Sequence, residues 1–116
     1  MNIEDFRDYC LGKPGVTEHT PFDPVTLVFK VGGKMFALTD IDTFASVNLK
    51  CEPARAVELR EQFDFVLPGY HMNKQHWNTV LIGTGVSDAQ LRSWTDDSYN
   101  LIVASLPKAV RAEYQL

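Results

Sequence analysis

The clearest pattern in the chain is a pair of alternating apolar and polar segments, Thr26–Val31 and Lys34–Thr39, separated by Gly32 and Gly33. A two-residue glycine loop between such segments is typical of a β-hairpin with a primed turn. The loop length predicts which residues face each other across the strands: Val31 and Lys34, Phe29 and Phe36, Leu27 and Leu38. We therefore expect the large apolar side chains on one face, and a partly exposed set on the other: Thr26, Val28, Lys30, Met35, Ala37 and Thr39.

Later segments with the alternation of strands, or with a short apolar run, predict three more strands: Ala45–Lys50, Phe65–Leu67 and His76–Ile82. Ahead of the hairpin, Pro21 and Pro24 interrupt the chain. Because a proline cannot donate a hydrogen bond to a strand ladder, we expect a connector or a short edge strand there.

Helical spacing of apolar residues predicts helices near both ends of the chain and one between the strands. An N-capping residue or a proline marks the start of each: Asn2 with Asp5, Pro53, Ser87 and Pro107. Asp96 and Asp97 indicate a break within the C-terminal helical region. The order of elements predicts a single α+β domain over residues 1–116, an antiparallel sheet packed on one side by the N- and C-terminal helices.

Composition agrees with one globular, cytoplasmic domain. The chain has 116 residues, of which 45% are hydrophobic and 22% charged, close to globular averages. Its first residues lack the basic and apolar regions of a signal peptide, and its apolar runs are shorter than the ~20 residues of a membrane helix. We therefore expect no membrane association, and we expect Cys10 and Cys51 to be free thiols in a reducing compartment.

The formal net charge of −4 limits the expected partners. Residues 1–25 carry two basic and five acidic side chains, whereas residues 26–80 carry six of each. Such a chain lacks the general positive field that attracts nucleic acid. Any nucleic-acid binding has to come from a local patch, and we expect it to be weak.

The sequence gives little support to a catalytic or metal site, so we expect no enzyme and no cofactor. His71 and His76 are close in sequence, but no CxxC or HExxH pair accompanies them. Cys10 lies on the apolar stripe of the first helix, which favours an inert thiol. Cys51 precedes a helix, where the dipole can lower a thiol pKa, so a Cys–His pair stays open. No P-loop, G-x-S-x-G or G-x-G-x-x-G motif is present.

The segment Tyr70–Trp77 is the strongest candidate for a binding function. It places two aromatic residues, two histidines and a lysine in eight positions without any acid. Such side chains can stack on bases, donate to phosphates or anchor a partner protein. Alternatively, Tyr70 and Trp77 belong to the core while Asn73 and Lys74 shape a turn. The residues alone leave both interpretations open.

The same segment carries a family resemblance. Pro68–Val80, supported by Leu27–Ala37, Ser98-Tyr99 and Leu106–Lys108, resembles the MmcQ/YjbR family of small bacterial proteins. The resemblance implies a frataxin-like (CyaY-like) α+β sandwich. It also implies DNA binding through a double-wing arrangement of the sheet and its hairpins. The positions that match are on the hairpin and the later loop: Lys30, Lys34, Tyr70, His71, Asn73, Lys74, His76 and Trp77.

Two functional hypotheses follow. The first is a non-enzymatic module that binds DNA weakly and in a salt-sensitive manner, because Lys30, Lys34, Lys50 and Lys74 can neutralise about four phosphates, fewer than the roughly 6–10 of strong binders. The second is a protein-interaction or small-ligand module that uses the same surface, with Tyr70 and Trp77 as apolar anchors. An enzymatic function would require a cysteine or histidine with a strongly displaced pKa in a cleft.

Overall fold

Six strands and four helices make up the fold in a computed structural model that describes residues 1–116. In chain order they are α1 (Ile3–Leu11), β1 (Val16–His19), β2 (Thr26–Val31), β3 (Lys34–Asp40), β4 (Ser46–Lys50), α2 (Pro53–Gln62), β5 (Val66–Pro68), β6 (Trp77–Leu81), α3 (Asp88–Ser105) and α4 (Lys108–Glu113). The strands form one sheet in the order β1-β2-β3-β4-β6-β5. Every neighbouring pair is antiparallel.

The core lies between one face of this sheet and the helices, and this face is called the covered face below. Helix α1 packs near β1, α3 crosses β2, β3 and β4, and α2 lies over β5 and β6. Aromatic rings fill the centre: Phe6 meets Phe29 edge-on with ring centroids 5.7 Å apart, and Phe36 meets Tyr99 in the same way at 5.4 Å. The predicted α+β fold with helices on one side is confirmed.

The hairpin has the predicted turn but a different register beyond it. Val31 faces Lys34, as expected, whereas Phe29 faces Ala37 and Leu27 faces Thr39. One extra residue in β3, Phe36, forms a β-bulge, which turns the rest of the strand over. The expected pairs Phe29–Phe36 and Leu27–Leu38 are therefore wrong.

The bulge places residues of β3 differently from the prediction. Ala37 and Thr39 are buried on the covered face, and Leu38 turns to the opposite face. Phe36 still packs beside Phe29, with ring centroids 6.5 Å apart. The hydroxyl of Ser98 in α3 donates to the Phe36 carbonyl and accepts from the Lys50 backbone N–H. A buried hydroxyl thus satisfies backbone groups of Phe36 and Lys50, just beyond the last pair of the β3–β4 ladder.

The helix starts agree with the sequence, but the expected break in the C-terminal helix is wrong. Asn2 with Asp5 and Ser87 with Gln90 form complete capping boxes. Helix α3 continues through Asp96 because its carboxylate accepts hydrogen bonds from the Tyr9 hydroxyl, at 2.6 Å, and from Lys13. These contacts tie α1 to the middle of α3, so the acidic residue stabilises the helix pair instead of ending the helix. The edge strand β1 lies before Pro21, whose neighbourhood forms a connector.

None of the helices combines the length and the apolar character needed to cross a membrane.

The hairpin tip gives a matched pair of variants. Both glycines have positive φ, +59° at Gly32 and +80° at Gly33, but a Cβ on Gly32 would lie 2.5 Å from a Leu106 methyl carbon while one on Gly33 would meet nothing within 4 Å. The left-handed backbone alone costs alanine about 1 kcal/mol, so we expect Gly33→Ala to lower the free energy of unfolding by about that amount. Gly32→Ala should lower it by about 2 kcal/mol or more, because its Cβ also meets Leu106. Urea unfolding measures both free energies. Equal losses would contradict the close packing of the tip on Leu106.

Candidate functional site

The face of the sheet opposite the helices, called the open face below, is formed by the alternate residues of each strand. The strand pairing places these side chains on it: Thr17, His19, Thr26, Val28, Lys30, Met35, Leu38, Asp40, Ser46, Asn48, Lys50, Leu67, Trp77, Thr79 and Leu81. Helices pack only on the covered face. The chain between β5 and β6, Gly69–His76, crosses the open face and is called the 69–76 loop.

Two buried polar side chains hold this loop on the sheet. Asn48 in β4 and Thr79 in β6 face each other across the strands. The Tyr70 N–H donates to the Thr79 hydroxyl at 2.9 Å, and the Tyr70 carbonyl accepts from the Asn48 amide at 3.3 Å. The Thr79 hydroxyl in turn donates to the side-chain oxygen of Asn48, Oδ1, at 2.6 Å. The three residues form a closed ring of hydrogen bonds that satisfies both polar backbone groups of Tyr70.

The start of the loop requires a close approach of two backbones. The Gly69 N–H donates to the Trp77 carbonyl at 2.9 Å. A Cβ on Gly69 would lie 2.7 Å from the Trp77 Cβ, so only glycine fits here. Near the other end, the Arg60 guanidinium of α2 donates to the Lys74 carbonyl at 2.7 Å. The loop is therefore fixed from both the sheet and a helix.

The loop residues that the sequence selected are placed as follows. Tyr70 is 69% exposed, and its ring lies 4.1 Å from that of His71, centroid to centroid. His71 has a φ of +58°, outside the usual range for a side-chain-bearing residue. Asn73 and Lys74 are exposed and His76 is half-buried. The Asn73 side chain accepts from the Gln75 N–H at 2.9 Å, as expected of a turn residue.

Trp77 is 9% exposed, so its ring is not presented to a partner. Its side chain points to the open face, and its backbone and Cβ lie against Gly69. Of the two aromatic residues expected to be apolar anchors, only Tyr70 is therefore exposed.

Four lysines surround the end of the open face where the β2–β3 turn lies, called the hairpin end below. Lys30 faces Met35 across the hairpin, Lys34 lies at the tip, and Lys50 faces Trp77. Lys74 is on the 69–76 loop. None of these four ammonium groups takes part in an ion pair. The protein has four ion pairs, all formed by other groups: Met1–Asp88, Arg7–Glu18, Lys13–Asp96 and Arg55–Glu58.

A cleft of about 500 Å³ lies on the open face beside the loop. It is lined by apolar and polar residues: Phe22, Thr26, Met35, Leu38, Thr39, Asp40, Ser46, Asn48, Tyr70, His71 and Met72. Most of them carry no local sequence signal of a binding site. Leu38 reaches the cleft because of the bulge, and Phe22 belongs to the β1–β2 connector, so neither had a local signal.

Burial acts against ionisation of both thiols. Burial raises the pKa of Cys10 to about 12. Cys51 is half-buried, and burial raises its pKa more than nearby Arg55 lowers it. Both directions reduce the thiolate fraction at neutral pH. No group of three or more His, Cys, Asp or Glu side chains converges in the arrangement of a metal site.

The ring around Tyr70 can be tested by removing one hydroxyl. We expect Thr79→Val to lower the free energy of unfolding by about 1–3 kcal/mol. The Tyr70 N–H and the Asn48 Oδ1 each lose a hydrogen-bond partner, while valine keeps the shape of the threonine side chain. Thr95→Val is the control, since the buried Thr95 hydroxyl donates only to the Leu91 carbonyl within its own helix, at 2.7 Å, where the backbone already supplies a donor. Thermal or urea unfolding measures both. A loss for Thr79→Val no larger than for Thr95→Val would contradict this account.

Comparison with known proteins identifies relatives over nearly the whole chain. The chain is 42% identical to the uncharacterized protein YbdF of Escherichia coli O157:H7 over 106 residues, 90% of this chain and 87% of that one. It is 34% identical to the uncharacterized protein YjbR of Escherichia coli K12 over 112 residues, 96% and 95% of the two chains.

Solved structures show the same arrangement. The crystal structure of Deinococcus radiodurans DR2400, a DUF419 domain, superposes with a TM-score of 0.92 at 39% identity, over 99% of this chain and 88% of that one. A Pseudomonas syringae protein superposes with a TM-score of 0.74 at 29% identity, over 87% and 98%. The YjbR family model matches residues 11–101. The chain therefore belongs to the YjbR family, as the segments around the hairpin and the 69–76 loop predicted.

Proposed function

We propose that this protein is a non-enzymatic module that binds DNA through the hairpin end of its open face. The observation that carries the proposal is the set of four lysines without ionic partners at that end: Lys30, Lys34, Lys50 and Lys74. Phosphate contacts from lysine and arginine supply most of the non-specific affinity of proteins for DNA. A cluster of free ammonium groups is the local patch that an acidic chain needs for this purpose.

The arrangement of the lysines suits an extended anion. Lys30 and Lys50 lie on β2 and β4, two strands apart, a separation of about 10 Å. Lys34 extends the row to the hairpin tip, and Lys74 adds a charge from the loop. Three acidic side chains at or near the cleft, Asp23, Asp40 and Asp42, lie toward the opposite end of the strands. Glu52, two residues after Lys50, caps α2, where its carboxylate accepts from two backbone N–H groups. A phosphate backbone laid along the hairpin end would therefore avoid the three aspartates.

The alternatives have less support. Of the two aromatic anchors expected in a protein-interaction surface, only Tyr70 is exposed, because Trp77 is buried. An enzymatic function is not favoured by the raised pKa of the half-buried Cys51. The small-ligand hypothesis retains the cleft as a candidate site.

Labelled duplex and single-stranded DNA of equal length test the proposal by fluorescence anisotropy at low salt. We expect weak binding whose logarithmic salt slope is about −3.6 for duplex, since about four phosphates are neutralised. Lys34→Glu/Lys74→Glu should reduce affinity at least about tenfold and the slope by about 2.

The matched control compares single variants, Lys34→Glu with Arg92→Glu. Arg92→Glu makes the same change in net charge at an exposed position on α3, a helix of the covered face, and it should leave binding much closer to that of the unmodified protein. Absence of binding to both DNA forms would refute the proposal. An equal loss in the two single variants would also refute it, because the effect would then come from total charge.

A further inference from the structure

We propose that the cleft on the open face receives one unpaired base of a single DNA strand, and that it prefers bases with an exocyclic amino group. This inference rests on the proposed function and adds the part of DNA that is recognised. Two aromatic side chains flank the cleft, the Asp40 carboxylate lines it, and lysines lie on the same face of the sheet.

Two strongly exposed aromatic side chains flank the cleft. Phe22 comes from the β1–β2 connector and Tyr70 from the 69–76 loop, and each is 69% exposed. Large aromatic side chains seldom stay this exposed without a partner, and stacking on a base would remove much of their apolar surface from water.

Both aromatic residues are held on fixed backbone. The Asp23 carboxylate accepts from the Val25 and Thr26 N–H groups, at 2.9 and 2.6 Å, and from the Thr26 hydroxyl at 2.8 Å, which fixes the turn next to Phe22. Those hydrogen bonds also lower the pKa of Asp23. Its carboxylate therefore stays ionised, and able to accept them, at neutral pH. Tyr70 is fixed by Asn48 and Thr79. Pre-organised aromatic walls reduce the entropy lost when a ring enters.

The cleft has room for a planar ring and a floor that can adapt to it. A volume of about 500 Å³ lies within the usual range of small-molecule sites, about 300–1,000 Å³. Met35 and Met72 line the cleft together with Leu38. Methionine side chains adjust to irregular shapes and make favourable contacts with aromatic rings.

Asp40 supplies the preference for an amino group. Its Oδ1 accepts from the Asp42 N–H at 2.8 Å and from the Thr43 N–H at 2.9 Å, whereas its Oδ2 has no protein donor. A carboxylate oxygen that lines an aromatic cleft can only accept hydrogen bonds. Cytosine, adenine and guanine carry an amino group that can donate to it. Thymine carries no amino group, and its one N–H donor lies between two carbonyl oxygens that a carboxylate repels.

The cleft and the lysine cluster lie on the same face of the sheet, and Met35 of the cleft faces Lys30 across the hairpin. Thr26, opposite Asp40, is four residues along β2 from Lys30, a separation of about 13 Å. A strand with one base near Asp40 would therefore place its neighbouring phosphates toward the positive end and away from the carboxylate. A free base or nucleoside lacks most of those phosphate contacts, so we commit to a base within a strand.

The test compares labelled single strands of equal length, oligo-dC and oligo-dT, by fluorescence anisotropy at low salt. We expect oligo-dC to bind about three- to tenfold more tightly, in the range of one good base contact. Asp40→Asn keeps an Oδ1 acceptor for the two N–H groups but loses the carboxylate, and it should bring the ratio close to one. Asp42→Asn, with the same charge change at an exposed neighbour outside the cleft, should retain the preference. Phe22→Leu should weaken both strands while leaving duplex binding unchanged.

Each outcome decides a separate point. If no DNA binds, both the proposed function and this inference fail. If both strands bind in a lysine-dependent manner without preferring oligo-dC, or if Asp40→Asn keeps the preference, the inference alone fails. If cytidine binds the protein as tightly as oligo-dC does, the cleft is a site for a free small molecule and the commitment to a DNA strand is wrong.

Discussion

The hydrogen-bonded ring of Asn48, Thr79 and the Tyr70 backbone is the constraint on which the open face depends. Two polar side chains on neighbouring strands are buried there, and each would be costly without a partner. They hydrogen-bond to each other and to both backbone polar groups of Tyr70 in the 69–76 loop. Because the loop is held at that point, Tyr70, His71 and Met72 line one side of the cleft, and Lys74 follows them in the same loop.

The two faces of the sheet therefore have different roles. The covered face is packed with aromatic and aliphatic side chains. Its polar side chains, such as Ser98, hydrogen-bond to backbone groups at the ends of strands. The open face has no helical layer, and its two flanking loops are fixed by hydrogen bonds to Asp23 and to Asn48 with Thr79. Exposed aromatic side chains on fixed loops, beside lysines without ionic partners, are the properties of a binding surface rather than of a core.

Much of this architecture follows from local signals in the sequence. The two-glycine turn, the capping boxes at Asn2 and Ser87 and the helix start at Pro53 depend on residues within a few positions of one another, so they were predicted correctly. The bulge at Phe36 was not, because it depends on packing against Phe29 and Tyr99 and on the hydroxyl of Ser98, 62 residues away. The same holds for the site: the loop was found from its own residues, but the burial of Trp77 and the contribution of Phe22 result from distant parts of the chain meeting on the sheet.

Amide hydrogen exchange of Tyr70, followed residue by residue by NMR, tests the central claim most directly. The Tyr70 N–H is bonded to Thr79, whereas the N–H of the adjacent His71 has no acceptor in the protein. The account predicts that the Tyr70 amide exchanges far more slowly than that of His71, at a rate close to the protected amides of β6. If the two neighbouring amides exchange equally fast, the loop is not held on the sheet, and neither the cleft nor the position of Lys74 follows from the fold.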